Sequence, residues 1–485
     1  MRPMADSRRV KIVATLGPAV AERETLRTLM EAGADVLRVN AAHGSPDDRA
    51  RLIETVRAAA SDLSRLVPIL FDLRGLKIRT GPLAAGDRIP VARGSIVEVV
   101  NDGSPTVEGR LGIPYPNLFD VIHPGSRLLI SDGLIELFVE RIEGRVAYCR
   151  AGRGGLLLSR QGVTLPGAPI RGGALTENDR EDIGFAVRQG VDYIGLSFVN
   201  DASDMMMARG AASAYGSRVP GFIAKIERGE ALQNIREIAE QADGLMVARG
   251  DLGVQLPPER VPRAQKEIIG VANQLGLPVI TATQMLESMI TQPVAPRAET
   301  SDVANAVWDG TDAVMLSAET AVGSYPIEAV QTMDRIIREV ERDGPARTAK
   351  TNAPMPTAKD ETLAFADAIA RATFTLSDQT PAEIIVVFTL TGAAARRIAK
   401  YRPTPPIIAA AADDETARRL NLVWGVRAVV VPVEEEPDTM FRLAGQKIIE
   451  TGLGEAGSYA LIVGSLPMHR VAGRTNLIHV RKLGT

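Results

Sequence analysis

The sequence predicts an α/β protein built on a (β/α)8, or TIM-type, barrel, with an inserted all-β lid and a separate C-terminal α/β domain. Three observations predict it. Eight short β-type runs alternate with stretches of helical period, the pattern of parallel strands joined by helices. Polar and charged residues collect at the carboxyl ends of those runs, where barrel chemistry sits. Between the third and fourth runs the helical period disappears, and short Val/Ile-rich segments separated by glycine turns take its place.

In chain order the β-type runs are Lys11–Thr15, Val36–Asn40, Val67–Asp72, Tyr193–Ser197, Gly221–Lys225, Gly244–Ala248, Pro278–Ala282 and Ala313–Leu316. Amphipathic stretches such as Glu22–Ala32 and Pro46–Arg65 lie between them. The residues at their carboxyl ends are Thr15, Arg38, Asn40, Asp72, Ser197, Lys225, Glu227, Asp251, Thr283, Ser317 and Glu319. Charges that merely marked the solvent ends of buried strands would not gather on one side. The insertion, residues 82–172, contains the runs Ser95–Val100, Arg127–Ile130, Leu134–Glu140 and Arg145–Arg150, bordered by the joints Arg79–Pro82 and Leu165–Pro169. Placed at the chemical end of a barrel, it is positioned to act as a lid; surface decoration is the other reading. The barrel then comprises residues 1–81 and 173–345, about 250 residues, an ordinary barrel size. A proline-containing linker near residues 346–359 opens the last domain, 346–485. Its strand candidates are Ile384–Phe388, Ile407–Ala411, Ala428–Val431, Tyr459–Val463 and Leu477–Val480.

Composition excludes several classes. A net charge of −3 and a pI near 6.0 leave no global basic field for nucleic acid, and aromatics at 4% offer few stacking platforms. One cysteine, Cys149, cannot form an intramolecular disulfide. The N-terminal apolar run is too short for a signal sequence or a membrane span, so a soluble cytoplasmic protein without membrane partners is expected.

The stretch from Gly221 to Gly253 carries the densest chemistry. Two apolar runs, Gly221–Ala224 and Gly244–Ala248, each end in charge: Lys225 and Glu227 after the first, Arg249 and Asp251 after the second. Residues two apart on a strand share a side, so Lys225 and Glu227 face one site. Two carboxylates and a lysine at adjacent strand ends suit a hard divalent cation bound with a phosphorylated substrate. The same pair would also serve a lyase that forms an enolate from a 2-oxo acid, and a non-catalytic metabolite sensor could retain it. Thr389–Ala395, T-L-T-G-A-A-A, is a small-residue loop opening a helix; it either holds phosphate or merely caps.

These segments resemble the pyruvate kinase family over nearly the whole chain. The matching motifs are K-I-V-A-T-L-G-P at Lys11–Pro18, R-V-N-A-A-H-G at Arg38–Gly44, K-I-R-T-G at Lys77–Gly81 and A-K-I-E at Ala224–Glu227. They continue with M-V-A-R-G-D-L-G at Met246–Gly253, T-A-T-Q-M-L-E-S-M at Thr281–Met289, R-A-E-T-S-D-V-A-N-A-V at Arg297–Val307 and M-L-S-A-E-T-A at Met315–Ala321. K-Y-R-P at Lys400–Pro403 and G-R-T-N at Gly473–Asn476 extend the match to the last domain. The resemblance implies a TIM barrel with a small inserted β-barrel lid, a C-terminal α/β effector domain and a homotetramer.

It also implies transfer of the phosphoryl group of phosphoenolpyruvate to ADP, giving ATP and, after protonation of an enolate, pyruvate. Carried over residue by residue, Glu227 and Asp251 would hold one Mg²⁺, and a second would arrive with ADP. Lys225 and Arg38 would stabilise the moving phosphoryl group, with Arg79 a further positive charge. The backbone N–H groups around Gly250 and Asp251 would receive the substrate carboxylate if a short helix begins there. Thr283 stands where the family places a residue for enolate protonation. Asn40, His43 and Arg79 lie on the nucleotide side, although His43 also reads as an ordinary structural histidine.

One departure bears on cations. Many family members hold K⁺ with an Asn, a Ser, an Asp and a Thr carbonyl, beside a glutamate. Here Asn40 and Asp72 are kept, but Ala42, Leu73 and Lys77 stand at the Ser, Thr and Glu positions. The expectation is activity independent of K⁺, with the Lys77 ammonium replacing the ion; a Lys77 turned to solvent is the competing reading. For a sugar-phosphate or nucleotide effector the candidates are Thr389, Thr391, Gly392, Arg470 and Arg474.

Overall fold

Eight parallel strands close into a barrel in the computed structural model, which describes residues 8–168, 175–342, 344, 361–466 and 474–485. They are Lys11–Thr15, Val36–Asn40, Ile69–Asp72, Tyr193–Leu196, Gly221–Ile226, Gly244–Ala248, Val279–Ala282 and Ala313–Leu316, each hydrogen-bonded to its neighbours in chain order, and the last pairs with the first. All eight expected runs are strands. The third and seventh start just after Pro68 and Pro278, because a residue without an N–H cannot enter the ladder there.

Eight helices cover the outside: Arg23–Ala32, Pro46–Asp62, Glu177–Arg188, Ala202–Ser213, Ile235–Gln241, Val261–Leu275, Arg297–Trp308 and Pro326–Glu341. Local chemistry sets their ends. Ser45 caps the second by accepting from the Asp48 N–H at 3.2 Å while Asp48 accepts from the Ser45 N–H at 2.9 Å, with Pro46 in the first turn. Thr176 and Asp179 form the same box at the helix that follows the lid.

The lid contains a six-stranded sheet and a two-stranded ribbon of Ile89–Val91 with Gly155–Leu157. It packs its own core, including Leu111, Leu118, Leu128, Leu137 and Cys149, separate from that of the barrel. It leaves the barrel after the third strand, as the loss of helical period indicates.

The C-terminal sheet has five strands in the spatial order Val426–Val430, Ile407–Ala411, Ile384–Thr389, Tyr459–Gly464 and Leu477–Lys482, with only the last pair antiparallel. Alternate residues of its central strand enter different apolar clusters: Ile384, Val386 and Phe388 one, Ile385 and Val387 the other. The expected linker lies outside the described residues. This domain docks on the end of the barrel away from the strand carboxyl ends. Lys11 Nζ donates to the Val426 carbonyl at 2.7 Å, the Tyr193 hydroxyl to the Arg419 carbonyl at 2.9 Å, and Arg418 pairs with Asp192 at 2.7 Å. Leu422 joins Val36, Leu70, Tyr193, Met246, Ile280 and Met315 in the cluster inside the barrel. Among the described residues no helix is long and apolar enough to cross a membrane.

Candidate active site

The carboxyl ends of the second, third, fourth and fifth strands deliver one connected set of charges. Asp72, almost fully buried, accepts from Arg38 Nε at 2.8 Å and Nη2 at 2.5 Å. Its other oxygen lies 3.2 Å from Lys225 Nζ, an ion pair without aligned hydrogen-bond geometry. Lys225 Nζ also reaches Glu227 Oε1 at 2.9 Å and donates to the Ser197 hydroxyl at 2.7 Å. Ser197 in turn donates to the Leu73 carbonyl at 2.9 Å. Arg38 donates to the Thr15 hydroxyl at 3.0 Å, tying the first strand into the same set.

Burial alone would raise the Asp72 carboxyl, but the Lys225 ammonium and Arg38 guanidinium outweigh it and hold Asp72 below the usual carboxylate range. Burial likewise opposes the charge on Lys225, yet Asp72 and Glu227 keep its ammonium protonated well above the ordinary lysine value. Glu227 goes the other way. Burial raises it, Lys225 pulls it back, and the Asp251 carboxylate adds a further push upward.

The Asp251 carboxylate is therefore close enough to act on Glu227. Among the described residues no group of three or more His, Cys, Asp or Glu could hold a metal ion. A cation held by these two carboxylates would need its other ligands from substrate and water, which is how Mg²⁺ is bound beside phosphates. The donor set therefore fits Mg²⁺. Glu227 is fixed by the Phe198 N–H, which donates to Oε2 at 2.8 Å.

The sixth strand ends at Ala248, and a short helix, Arg249–Gln255, begins at once. The Gly250 N–H donates to the Thr283 hydroxyl at 2.9 Å, and that hydroxyl donates to the Ala282 carbonyl at 2.7 Å. Thr283, Gly250 and Asp251 thus form one corner of the site. Lys77 lies 3.9 Å from Asp251 Oδ1, whereas the ion pairs of Asp72 go to Arg38 and Lys225. The structure brings Lys77 to the carboxylate expected to hold metal rather than against Asp72. Asn40 Oδ1 accepts from the Ala42 N–H at 3.0 Å. His43 is exposed. Arg79 is exposed too, and donates to the carbonyl of Arg160 in the lid at 3.1 Å.

Two participants were not assigned a role from the sequence. Ser197 bridges Lys225 to Leu73, and Arg249 holds the carbonyls of Thr283 and Gln284. Their partners lie far along the chain, so no local spacing announces them. In the C-terminal domain the Thr389 hydroxyl accepts from the Gly392 N–H at 2.8 Å, and Arg396 donates to the Thr391 carbonyl at 3.3 Å. Arg474 is exposed, while Arg470 lies outside the described residues.

Comparison with known proteins agrees with this geometry. A family model described as pyruvate kinase, barrel domain, matches residues 7–330, and one described as pyruvate kinase, alpha/beta domain, matches residues 367–481. A pyruvate kinase of Agrobacterium vitis is 42% identical over 97% of this chain and 96% of its own length. One from Mycobacterium tuberculosis is 40% identical over 99% of both. The crystal structure of a pyruvate kinase from Cryptosporidium parvum superposes with a TM-score of 0.91 at 33% identity, covering 99% of this chain and 97% of that one. The chain belongs to the pyruvate kinase family.

Proposed function

We infer that this protein is a phosphotransferase that moves the phosphoryl group of phosphoenolpyruvate to ADP, yielding ATP and pyruvate. The observation that carries the reading is the run of paired charges from Arg38 through Asp72 and Lys225 to Glu227, set at strand ends beside Asp251 and Thr283. Phosphoryl transfer asks mainly for positioning and for fixed positive charge. Arg38 and Lys225 provide that charge, held in place by Asp72 so that neither must reorganise when the phosphoryl group leaves its oxygen. Glu227 and Asp251 would hold Mg²⁺, which when bound would neutralise charge on the substrate oxygens. The backbone at Gly250 and Asp251, where the short helix begins, receives the substrate carboxylate, the Gly250 N–H turning to it from the Thr283 hydroxyl that holds it in the free site. Thr283 keeps a water in line with the enolate carbon, which takes up the proton. Arg79, Asn40 and His43 border the space for ADP and its own Mg²⁺, with the lid above.

Activity is independent of K⁺ in this reading. Both retained counterparts of K⁺ ligands are already engaged, Asn40 Oδ1 by an N–H and Asp72 by Arg38 and Lys225, and the carbonyl of Leu73, at the Thr position, accepts from Ser197. The Lys77 ammonium supplies the missing positive charge from the Asp251 side. A phosphorylated metabolite acts through Thr389, Thr391, Gly392, Arg470 and Arg474, and the chain assembles as a homotetramer.

The test is pyruvate formation from phosphoenolpyruvate, ADP and Mg²⁺ in buffer free of K⁺ and NH₄⁺, then with K⁺ added. Full turnover without K⁺ is expected. Lys77→Glu should lose about tenfold or more in the absence of K⁺ and recover when K⁺ is added, as removal of a preorganised charge predicts. If Lys77→Glu turns over like the parent under both conditions, Lys77 has no such role. No pyruvate from the parent, with or without K⁺, sugar phosphates or AMP, would overturn the enzyme assignment itself.

A further inference from the structure

Thr283 and the next residue, Gln284, both adopt left-handed backbone, at φ +66° and +56°. A β-branched residue rarely enters that region, so the turn must be held by its surroundings. The holder is Arg249. Its Nη2 donates to the Thr283 carbonyl at 2.6 Å and to the Gln284 carbonyl at 3.1 Å, while Nε adds a 3.2 Å bond to the Thr283 carbonyl. The guanidinium is nearly buried, and Asp302, reaching over from the helix Arg297–Trp308, balances its charge at 2.7 Å. The next residue, Gly250, donates its N–H to the Thr283 hydroxyl. Arg249 therefore fixes the turn from the carbonyl side, and the backbone beside it fixes the hydroxyl.

We propose that Arg249, oriented by Asp302, is a positioning residue for the protonation half of the reaction. It locks the Thr283–Gln284 turn and so sets where the Thr283 hydroxyl stands relative to the enolate carbon. The proposal rests on the phosphotransferase reading above. Phosphoryl transfer depends on Arg38 and Lys225, which share no contact with this clamp, whereas delivery of a proton to carbon depends on the hydroxyl at its end. In the forward direction the enolate carbon takes a proton from a water beside Thr283, and solvent replaces it. In reverse a methyl C–H bond of pyruvate breaks, the proton passes to that water, and the electron pair forms the enolate double bond.

The two halves can be read separately. Exchange of the pyruvate methyl protons with D₂O, followed by ¹H NMR in the presence of Mg²⁺ and ATP, reports the proton step. The phosphoenolpyruvate concentration for half-maximal turnover reports binding at the phosphoryl site. Asp302→Asn and Arg249→Lys should slow exchange by about tenfold or more, as small misplacement of a reacting group does, with half-saturation moving less than about twofold. Asp302→Glu should recover most of the exchange. Should Arg249→Lys fail to fold, Asp302→Asn carries the test, since it is nearly isosteric and its side chain is 37% exposed. Exchange within about twofold of the parent, or equal losses in exchange and in substrate affinity, would overturn the clamp. A parent protein that forms no pyruvate would instead be a failure of the functional reading.

Discussion

Glu227 is the side chain whose protonation decides what the site can hold. Burial first, and Asp251 in addition, place its carboxyl above the ordinary 4.5, against the pull of Lys225. A raised carboxyl favours the folded chain below its ordinary value, and that contribution is lost as pH rises through the folded value. Cation binding runs the opposite way, because only the ionised form is a ligand. Apparent Mg²⁺ affinity, followed by calorimetric titration, should therefore weaken on acidification with an onset above pH 4.5, by up to about tenfold per pH unit. An onset at or below that value would show that burial and Asp251 together do not outweigh Lys225 at this carboxyl. Lys225, Glu227 and Asp251 were legible in the sequence because strand alternation and abrupt run ends are local signals. Lys77 was legible as a departure in charge, but its partner was not. The approach to Asp251 depends on the path of the chain leaving the third strand, which no spacing encodes.

At the scale of single elements, the segment after the third strand is a tight joint. Gly75 has φ +64°, and a Cβ there would lie 2.7 Å from both Ser197 Cβ and the Phe198 ring. Its N–H donates to Asp179 at 3.1 Å, and Arg74 pairs with Asp182 at 2.7 Å, so the exit toward the lid is stitched to the helix that follows the lid's return. Gly75→Ala should cost about 1–3 kcal/mol of stability, from backbone strain and displaced neighbours together. It should also lower turnover, because Ser197 supports Lys225 and Phe198 supports Glu227. Loss of stability with turnover intact would separate the hinge from the charge network. The strands themselves were readable to within a residue or two, since eight apolar runs with polar ends admit few arrangements. The joints were not, because their bonds link residues about a hundred positions apart.

Across the whole molecule, the barrel and the C-terminal domain meet through buried polar groups that the sequence could not pair. Lys11 is an example. Burial pushes its ammonium down from 10.5 to about 8, with Arg427 and Arg8 opposing its charge and Asp35 and Glu341 favouring it. A lysine whose folded value is depressed carries a penalty that is full below the folded value and vanishes above the unfolded one. Stability should thus rise between about pH 8 and pH 10.5 relative to a Lys11→Met variant, whose curve lacks this contribution. The expected gain is on the order of 3 kcal/mol, read as a difference in urea midpoints. Parallel curves for the two proteins would place the Lys11 ammonium in water.

Leu422 has a consequence for the order in which the chain can be completed. The interior layer of the barrel holds side chains from its strands, the last ending at Leu316, and one from residue 422. A nascent chain leaves the ribosome N-terminus first, so every strand is available before the side chain that seals the opposite end. Until Leu422 arrives, the buried cluster that holds Val36, Leu70, Tyr193 and Met246 lacks one of its apolar members. The barrel interior is therefore complete only once the domain that follows it has been made, and a chain interrupted before Leu422 would lack that contact.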